Sequence, residues 1–306
     1  MNDTPHIFNR RLLVQRRQRA APNAHAHEFL LDRVADDVMA RLSAIHRQFP
    51  IALNLGAAHG VVGRRLAQVP GIELVIDAEA SPAMLARSDG CKVRMDEEAL
   101  PFADQSLDLV VSGLALQFVN DLPGTLVQIR RALKPDGLLL ATMLGGQTLH
   151  ELRAAFLQAE EEIDGGVSPR VAPFADVRDV GALLQRAQFA LPVADSDTLT
   201  VTYSDPLALM RELRGMGATN VLVARRKTWL KKATLLRAME IYVERFGLSN
   251  GRIPATFELI TLTGWAPHES QQKALQPGSA TVRLADALGT SEHSTGEATG
   301  AQVPRR

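Results

Sequence analysis

The chain has a single cysteine, Cys91, in 306 residues. An intrachain disulfide and a cysteine-built zinc site are therefore both out of reach. It also has no excess of either charge: 34 basic side chains balance 34 acidic ones. General nucleic-acid binding, which rests on a basic face neutralising phosphates, has no footprint here. No apolar run approaches the ~18 residues of a membrane span, so an integral membrane protein is not expected. The phosphate-loop pattern G-x-x-x-x-G-K-[ST] is missing, which argues against an ATPase. No H-x-D/E pair is available for a facial iron triad, and His25-x-His27-Glu28 lacks partner ligands. What the chain does have is apolar material: 46% of its residues are hydrophobic, enough to fill a sizeable core.

That material is arranged in a readable order. Residues 1–49 read as an N-terminal helical segment. In it Phe8, Leu12 and Leu13 form one apolar edge of a short helix, with Arg10, Arg11, Arg16, Arg17 and Arg19 expected on its solvated face. A transit peptide is the other reading of this arginine-rich stretch, but no apolar signal core follows. A second amphipathic helix spans Glu28 to Phe49. Short apolar runs then alternate with helical stretches. Ile51 to Leu55, Ile72 to Ile76, Leu107 to Ser112 and Leu138 to Leu144 read as buried strands; Val61 to Gln68, Pro82 to Arg87 and Leu122 to Leu133 read as the helices between them. Such alternation predicts an α/β, doubly wound parallel sheet, with ligands outside the carboxyl ends of the strands.

The second half predicts helices at Thr148 to Ile163, Val177 to Phe189, Pro206 to Gly215 and Thr228 to Phe246. The last carries Trp229, Leu236, Met239, Val243 and Phe246 on one side. Strands are expected at Thr198 to Tyr203 and Thr256 to Thr263. Residues 50–280 then form one domain whose helical lid occupies about 164–250, and the Gly-, Ser- and Thr-rich tail 287–306 is expected to be disordered.

The most informative stretch is Asn54-Leu55-Gly56-Ala57-Ala58-His59-Gly60, a turn of small residues between a strand and a helix where helix N–H groups can face a ligand. Alone it does not distinguish a binding loop from a tight turn. Asp77 lies 21 residues beyond Gly56, after the second apolar run, where an acid can accept from ribose hydroxyls; alternatively it caps the helix at Ser81-Pro82. The stretch Asp96-Glu97-Glu98-Ala99-Leu100-Pro101-Phe102 and the strand Asp108-Leu109-Val110-Val111-Ser112 follow.

With these motifs the chain resembles the class I S-adenosylmethionine (SAM) dependent methyltransferases. The resemblance implies a seven-stranded, mostly parallel Rossmann-like sheet with its last strand antiparallel, and SAM as cofactor. It implies Gly56, Ala58 and Gly60 in the cofactor loop, Asp77 on the ribose, Asp96 and Glu97 beside the adenine, and Ser112 and Gly113 near the sulfonium. Further motifs resemble one branch of the family: Ile7-Phe8-Asn9-Arg10, Asp121-Leu122-Pro123-Gly124, Gly145-Gly146-Gln147-Thr148-Leu149, Ser168-Pro169-Arg170-Val171 and Gly264-Trp265-Ala266-Pro267-His268. That branch holds the mitochondrial complex I assembly factor of methyltransferase fold and its bacterial relatives; the malonyl-carrier-protein methyltransferase of biotin synthesis is a more distant cousin. The pattern departs at Asn54, Ala58, Gln117-Phe118 and Asn9.

The resemblance implies a protein acceptor, with a complex I subunit as one candidate, and a location in a bacterial cytoplasm or the mitochondrial matrix, there at the periphery of the inner membrane. Three activities stay open at this point: methyl transfer, arginine hydroxylation, and SAM binding by a non-catalytic assembly factor. The run Arg225, Arg226, Lys227, Lys231, Lys232 and Arg237, without an acid among them, is either a solvated face or a docking surface for an acidic partner. His268, Gln271, Gln272 and Lys273 are either a substrate wall or a solvated exit turn.

Overall fold

The computed structural model describes residues 6–272, 279, 281–291 and 293. Helix α1 (Arg10–Ala20) starts where the Asn9 side chain accepts from the Leu12 N–H, and after a 3-10 stretch α2 (Phe29–Ser43) follows. Then come β1 (Ile51–Leu55), α3 (Val61–Leu66), β2 (Leu74–Ala78), α4 (Pro82–Leu85), β3 (Cys91–Val93), β4 (Leu107–Gly113), α5 (Leu122–Ala132) and β5 (Leu133–Leu144). The second half contributes α6 (His150–Asp164), α7 (Val177–Arg186), β6 (Ala190–Tyr203), α8 (Pro206–Gly215), α9 (Lys232–Phe246) and β7 (Ile253–Trp265). Residues 269–306 form a separate unit containing α10 (Leu284–Leu288), and most of the expected disordered tail lies outside the described residues.

The seven strands run in the order β3-β2-β1-β4-β5-β7-β6. β1 to β5 are parallel, and β7 runs antiparallel to both β5 and β6. The central strands are mostly apolar because both faces are covered, with Asn54 in β1 and Asp108 and Ser112 in β4 as polar positions. Ala52, Leu109, Val111, Leu138 and Leu140 pack with α2, α3, α6 and α9 on one face, while Leu53, Leu55, Val110, Leu139 and Ala141 pack with α5 and α7 on the other. Period-two alternation along each strand thus feeds two cores. Among the described residues no helix is long and apolar enough to cross a membrane.

Three expectations change. The arginines of α1 are not all solvated: Arg17 is buried and Arg10 mostly so, drawn inward by acids at the sheet edge. In the stretch 164–250, α7 lies on the sheet and β6 is its edge strand; α9 packs in the core with α6, which leaves α8 and the loop 216–231 to cover the mouth of the sheet. Helix α9 starts at Lys232, so Trp229 sits in the loop, 97% exposed, with Leu236 and Val243 outward. It buries Ala238, Ile241 and Tyr242 instead, an equally helical i, i+3, i+4 stripe, and the Tyr242 hydroxyl donates to the Pro254 carbonyl at 2.8 Å. The helix start is fixed by Asp164 at the end of α6, which takes the Thr234 hydroxyl together with Arg226 and Lys231.

Candidate functional site

The sheet order reverses between β1 and β4, and the chain leaves both strands there into loops of small residues. After β1, Gly56 and Gly60 have φ of +69° and +86°, and Ala58, between them, has φ +49°. A Cβ on Gly56 would collide with Ala115, and one on Gly60 would lie 2.8 Å from the Ser88 Cβ, so both positions need glycine for space as well as for conformation. Ala58 tolerates the left-handed region at a cost of roughly 1–2 kcal/mol.

Four acids surround this loop. Asp77 is buried, accepts from Asn54 Nδ2 at 2.7 Å, and lies directly under α3, where a side chain on Gly63 would strike its carboxylate. Its pKa is raised, first by burial and against the pull of hydrogen bonds from Asn54, Ser88 and Gly90. The departure at Asn54 is thereby explained: an amide donor suits a carboxylate neighbour where a second acid would repel it. Asp77 thus ties the end of β2 to α3.

Glu79, two residues later, stands beyond the strand end. It accepts from the Ala58 N–H at 3.1 Å, the Ser81 N–H at 2.8 Å and Arg17 at 2.9 and 3.1 Å. Burial pushes its pKa up, and Arg17 offsets part of that shift. Ligands bind outside the carboxyl ends of such strands, and Glu79 directly follows the last residue of β2.

Asp96 is 44% exposed at its side chain and pairs with Arg10, whereas Glu97 is 2% exposed and pairs with both Arg10 and Arg17. Glu97 is therefore the acid beside the loop: its Oε1 would lie 3.3 Å from a Cβ on Gly56. The Ser112 hydroxyl donates to the Leu55 carbonyl at 2.9 Å, a strand-to-strand tie rather than a group facing a ligand, while Gly113 does reach the open edge.

From Gly56, Ala58 and Gly113 a cavity of about 410 Å³ runs under α8 and the loop 216–231 to Phe156, Phe174 and Leu230. His59, on its wall, is hydrogen-bonded to Glu28 at 2.7 Å, and His27 to Glu212 at 2.8 Å. The pair His25/His27 is thus no metal site, and no group of three metal-ligating side chains occurs among the described residues. Gln117, 6% exposed, donates to the Leu114 carbonyl, and its Oε1 has no partner. Ser81 Oγ, Asn54 Oδ1 and Glu97 Oε1 are likewise buried without a hydrogen bond. Buried polar atoms are rarely left so, and those of Ser81, Glu97 and Gln117 lie on the chain that follows the carboxyl ends of β2, β3 and β4, where a ligand with hydrogen-bonding groups would sit.

Other family-like motifs are structural. Glu160 takes the Ser168 N–H and hydroxyl and the Arg170 guanidinium, and Glu258 takes the Gln147 N–H beside Gly145. The basic run is largely committed to partners: Arg226 and Lys231 to Asp164, Arg237 to Glu162. Of the exit-turn residues, His268 does not line the cavity and Lys273 lies outside the described residues.

A family model for the methyltransferase domain matches residues 53–141. The arginine-hydroxylase NDUFAF5, mitochondrial, of Homo sapiens is 38% identical over 290 residues, covering 92% of this chain and 84% of its own. The protein of the same name from Danio rerio is 36% identical, with coverages of 92% and 89%. A malonyl-[acyl-carrier protein] O-methyltransferase of Gallionella capsiferriformans is 35% identical, with 85% and 92% covered. Among solved structures, the YcgJ protein from Bacillus subtilis superposes with a TM-score of 0.54 at 16% identity, covering 77% of this chain and 99% of its own, a likeness of fold. The chain belongs to the class I SAM-dependent methyltransferase family, near the branch that holds the mitochondrial arginine-hydroxylase.

Proposed function

We propose that the chain binds SAM at the Gly56–Gly60 loop and acts as a methyltransferase on an acceptor presented by a protein. One observation carries this reading: a single cavity joins the glycine loop to the covering elements, so a cofactor at one end and an acceptor at the other share an enclosed space. Bound there, SAM would supply an electrophilic methyl group for the acceptor's nucleophile.

The residues present fit that cofactor. Glu79 is the acid for the ribose hydroxyls, in place of Asp77; Asp96 and Glu97 stand on the adenine side; Gly56, Ala58, Gly60 and Gly113 let the backbone approach. All four lone-pair directions of Glu79 are engaged, by Arg17 twice and by two N–H groups, so a diol enters only as Arg17 withdraws. The covering elements exclude water from the reacting end, and with proximity and orientation supplying much of the barrier reduction, no strong base is required. Gln117 Oε1, buried and unpaired, is an acceptor for an N–H or O–H of the incoming group.

A protein acceptor is supported by the covering loop, where exposed Trp229, a residue type that favours protein contacts, adjoins cavity-lining Leu230. The identity to the mitochondrial arginine-hydroxylases favours a second reading, hydroxylation of a protein arginine, with a complex I subunit as the candidate partner and the matrix or a bacterial cytoplasm as the location. Incubation with methyl-labelled SAM and a partner protein captured from cells is expected to yield labelled partner. An added oxygen without label would establish the second reading, and an unmodified partner would leave a non-catalytic assembly role.

A further inference from the structure

The cavity is electropositive by construction. Arg16, Arg17, Arg170 and Arg214 line it, and no carboxylate does. Arg17 is neutralised by Glu79 and Glu97, and Arg170 by Glu160. The other two have no acid: Arg16 donates only to the Thr219 hydroxyl, at 2.6 Å, and Arg214 makes no ion pair among the described residues. Arg16 is half-buried, and its pKa is held below the ordinary guanidinium value by that burial and then by Arg225, Arg19 and Arg214. Several cations are therefore crowded at one rim of an otherwise apolar cavity, an arrangement that costs free energy unless an anion joins them. The lining also includes Phe156, Phe174, Met210 and Leu230, surface for an apolar body.

We propose that Arg16 and Arg214, with Thr219, form the acceptor's anion-binding site: the group to be modified carries a carboxylate or phosphate on an apolar body, and a guanidinium is disfavoured. The proposal rests on the reading that the far end of the cavity is the acceptor site, and it narrows that reading from an unspecified protein-borne group to an anionic one. Guanidinium forks suit either anion, since both present paired oxygens to paired N–H donors.

The test uses the full chain saturated with S-adenosylhomocysteine and four probes with the same tail: octanoate, octyl phosphate, octanol and octylguanidinium. Calorimetric titration is expected to show at least one anionic probe binding roughly tenfold or more tighter than octanol, as charge-assisted hydrogen bonds would give. Which of the two binds tighter distinguishes carboxylate from phosphate. In the double variant Arg16→Gln/Arg214→Gln that advantage is lost, in Arg16→Lys/Arg214→Lys it is partly retained, and in both the thermal midpoint and the affinity for S-adenosylhomocysteine stay at wild-type values. Octanol equal to both anions, octylguanidinium tightest, or no anionic probe bound would overturn the proposal. So would a parallel loss of S-adenosylhomocysteine affinity in the Gln variant, which would place these arginines on the cofactor's own carboxylate. Anionic probes that bind a chain with no affinity for S-adenosylhomocysteine would instead overturn the cofactor reading and leave the anion site standing.

Discussion

Gly56→Ala is expected to destabilise the fold by about 3 kcal/mol or more and to abolish cofactor binding. Two costs add. The φ of +69° places an L side chain in the left-handed region, roughly 1–2 kcal/mol. The new methyl also collides with Ala115, and overpacking of a tight site typically adds about 1–3 kcal/mol. Neither cost is easily relaxed, because Gly56 lies between the two central strands of the sheet, with the Ala57 N–H fixed on the Ala78 carbonyl. Any relaxation must move the loop that would face the cofactor. Urea denaturation would show the loss of stability and calorimetry the loss of binding; a variant with wild-type stability would contradict the close approach seen at Ala115.

Arg17→Ala is expected to cost about 3–5 kcal/mol at neutral pH, because it leaves Glu79 and Glu97 buried without the cation between them. The dependence on pH separates this from lost packing. The folded-state pKa of Glu79 already lies above the ordinary carboxylate value, and burial is the first cause. Its contribution to stability is thus fully present below the unfolded value and is lost as pH rises through the folded one. Removing Arg17 raises that folded value further, so the variant's deficit should be large at pH 7 and should shrink as pH falls toward the ordinary carboxylate range, because protonation then removes the buried charge. A deficit equal at neutral pH and in that range would mean that Arg17 acts by its bulk alone.

Much of the fold was legible in the chain, because buried parallel strands leave continuous apolar runs and the helices between them leave amphipathic ones. Ile51 to Leu55 and Pro206 to Gly215 are observed with the bounds expected from sequence, and the last strand is antiparallel, as the family resemblance implied. The strands of the second half run longer than expected, since β6 and β7 pair with each other beyond the alternating residues. Helix α9 has two stripes of helical spacing, and only the tertiary partner Asp164 decides where it begins and which stripe turns inward.

The site was legible as a region more than as a set of atoms. Gly56, Ala58 and Gly113 line the cavity, whereas Gly60 and Glu97 do not. Asp77 lies in β2 and Glu79 directly follows its last residue, and type and spacing alone do not separate a helix tie from an acid at the carboxyl end of the sheet. The arginines of α1 looked like a solvated face because their acids lie 62 to 87 residues away in sequence. Arg16 and Arg214 become neighbours only through the cavity that both line.

The central claim is that SAM binds across the Gly56 loop with Glu79 on the ribose, and calorimetric titration of SAM into two isosteric variants tests it directly. Glu79→Gln removes the charge that accepts from the hydroxyls and is expected to weaken binding by at least about tenfold, while Asp77→Asn, altered under α3, is expected to bind close to wild type. The reverse order, or equal affinity in wild type and Glu79→Gln, would contradict the account.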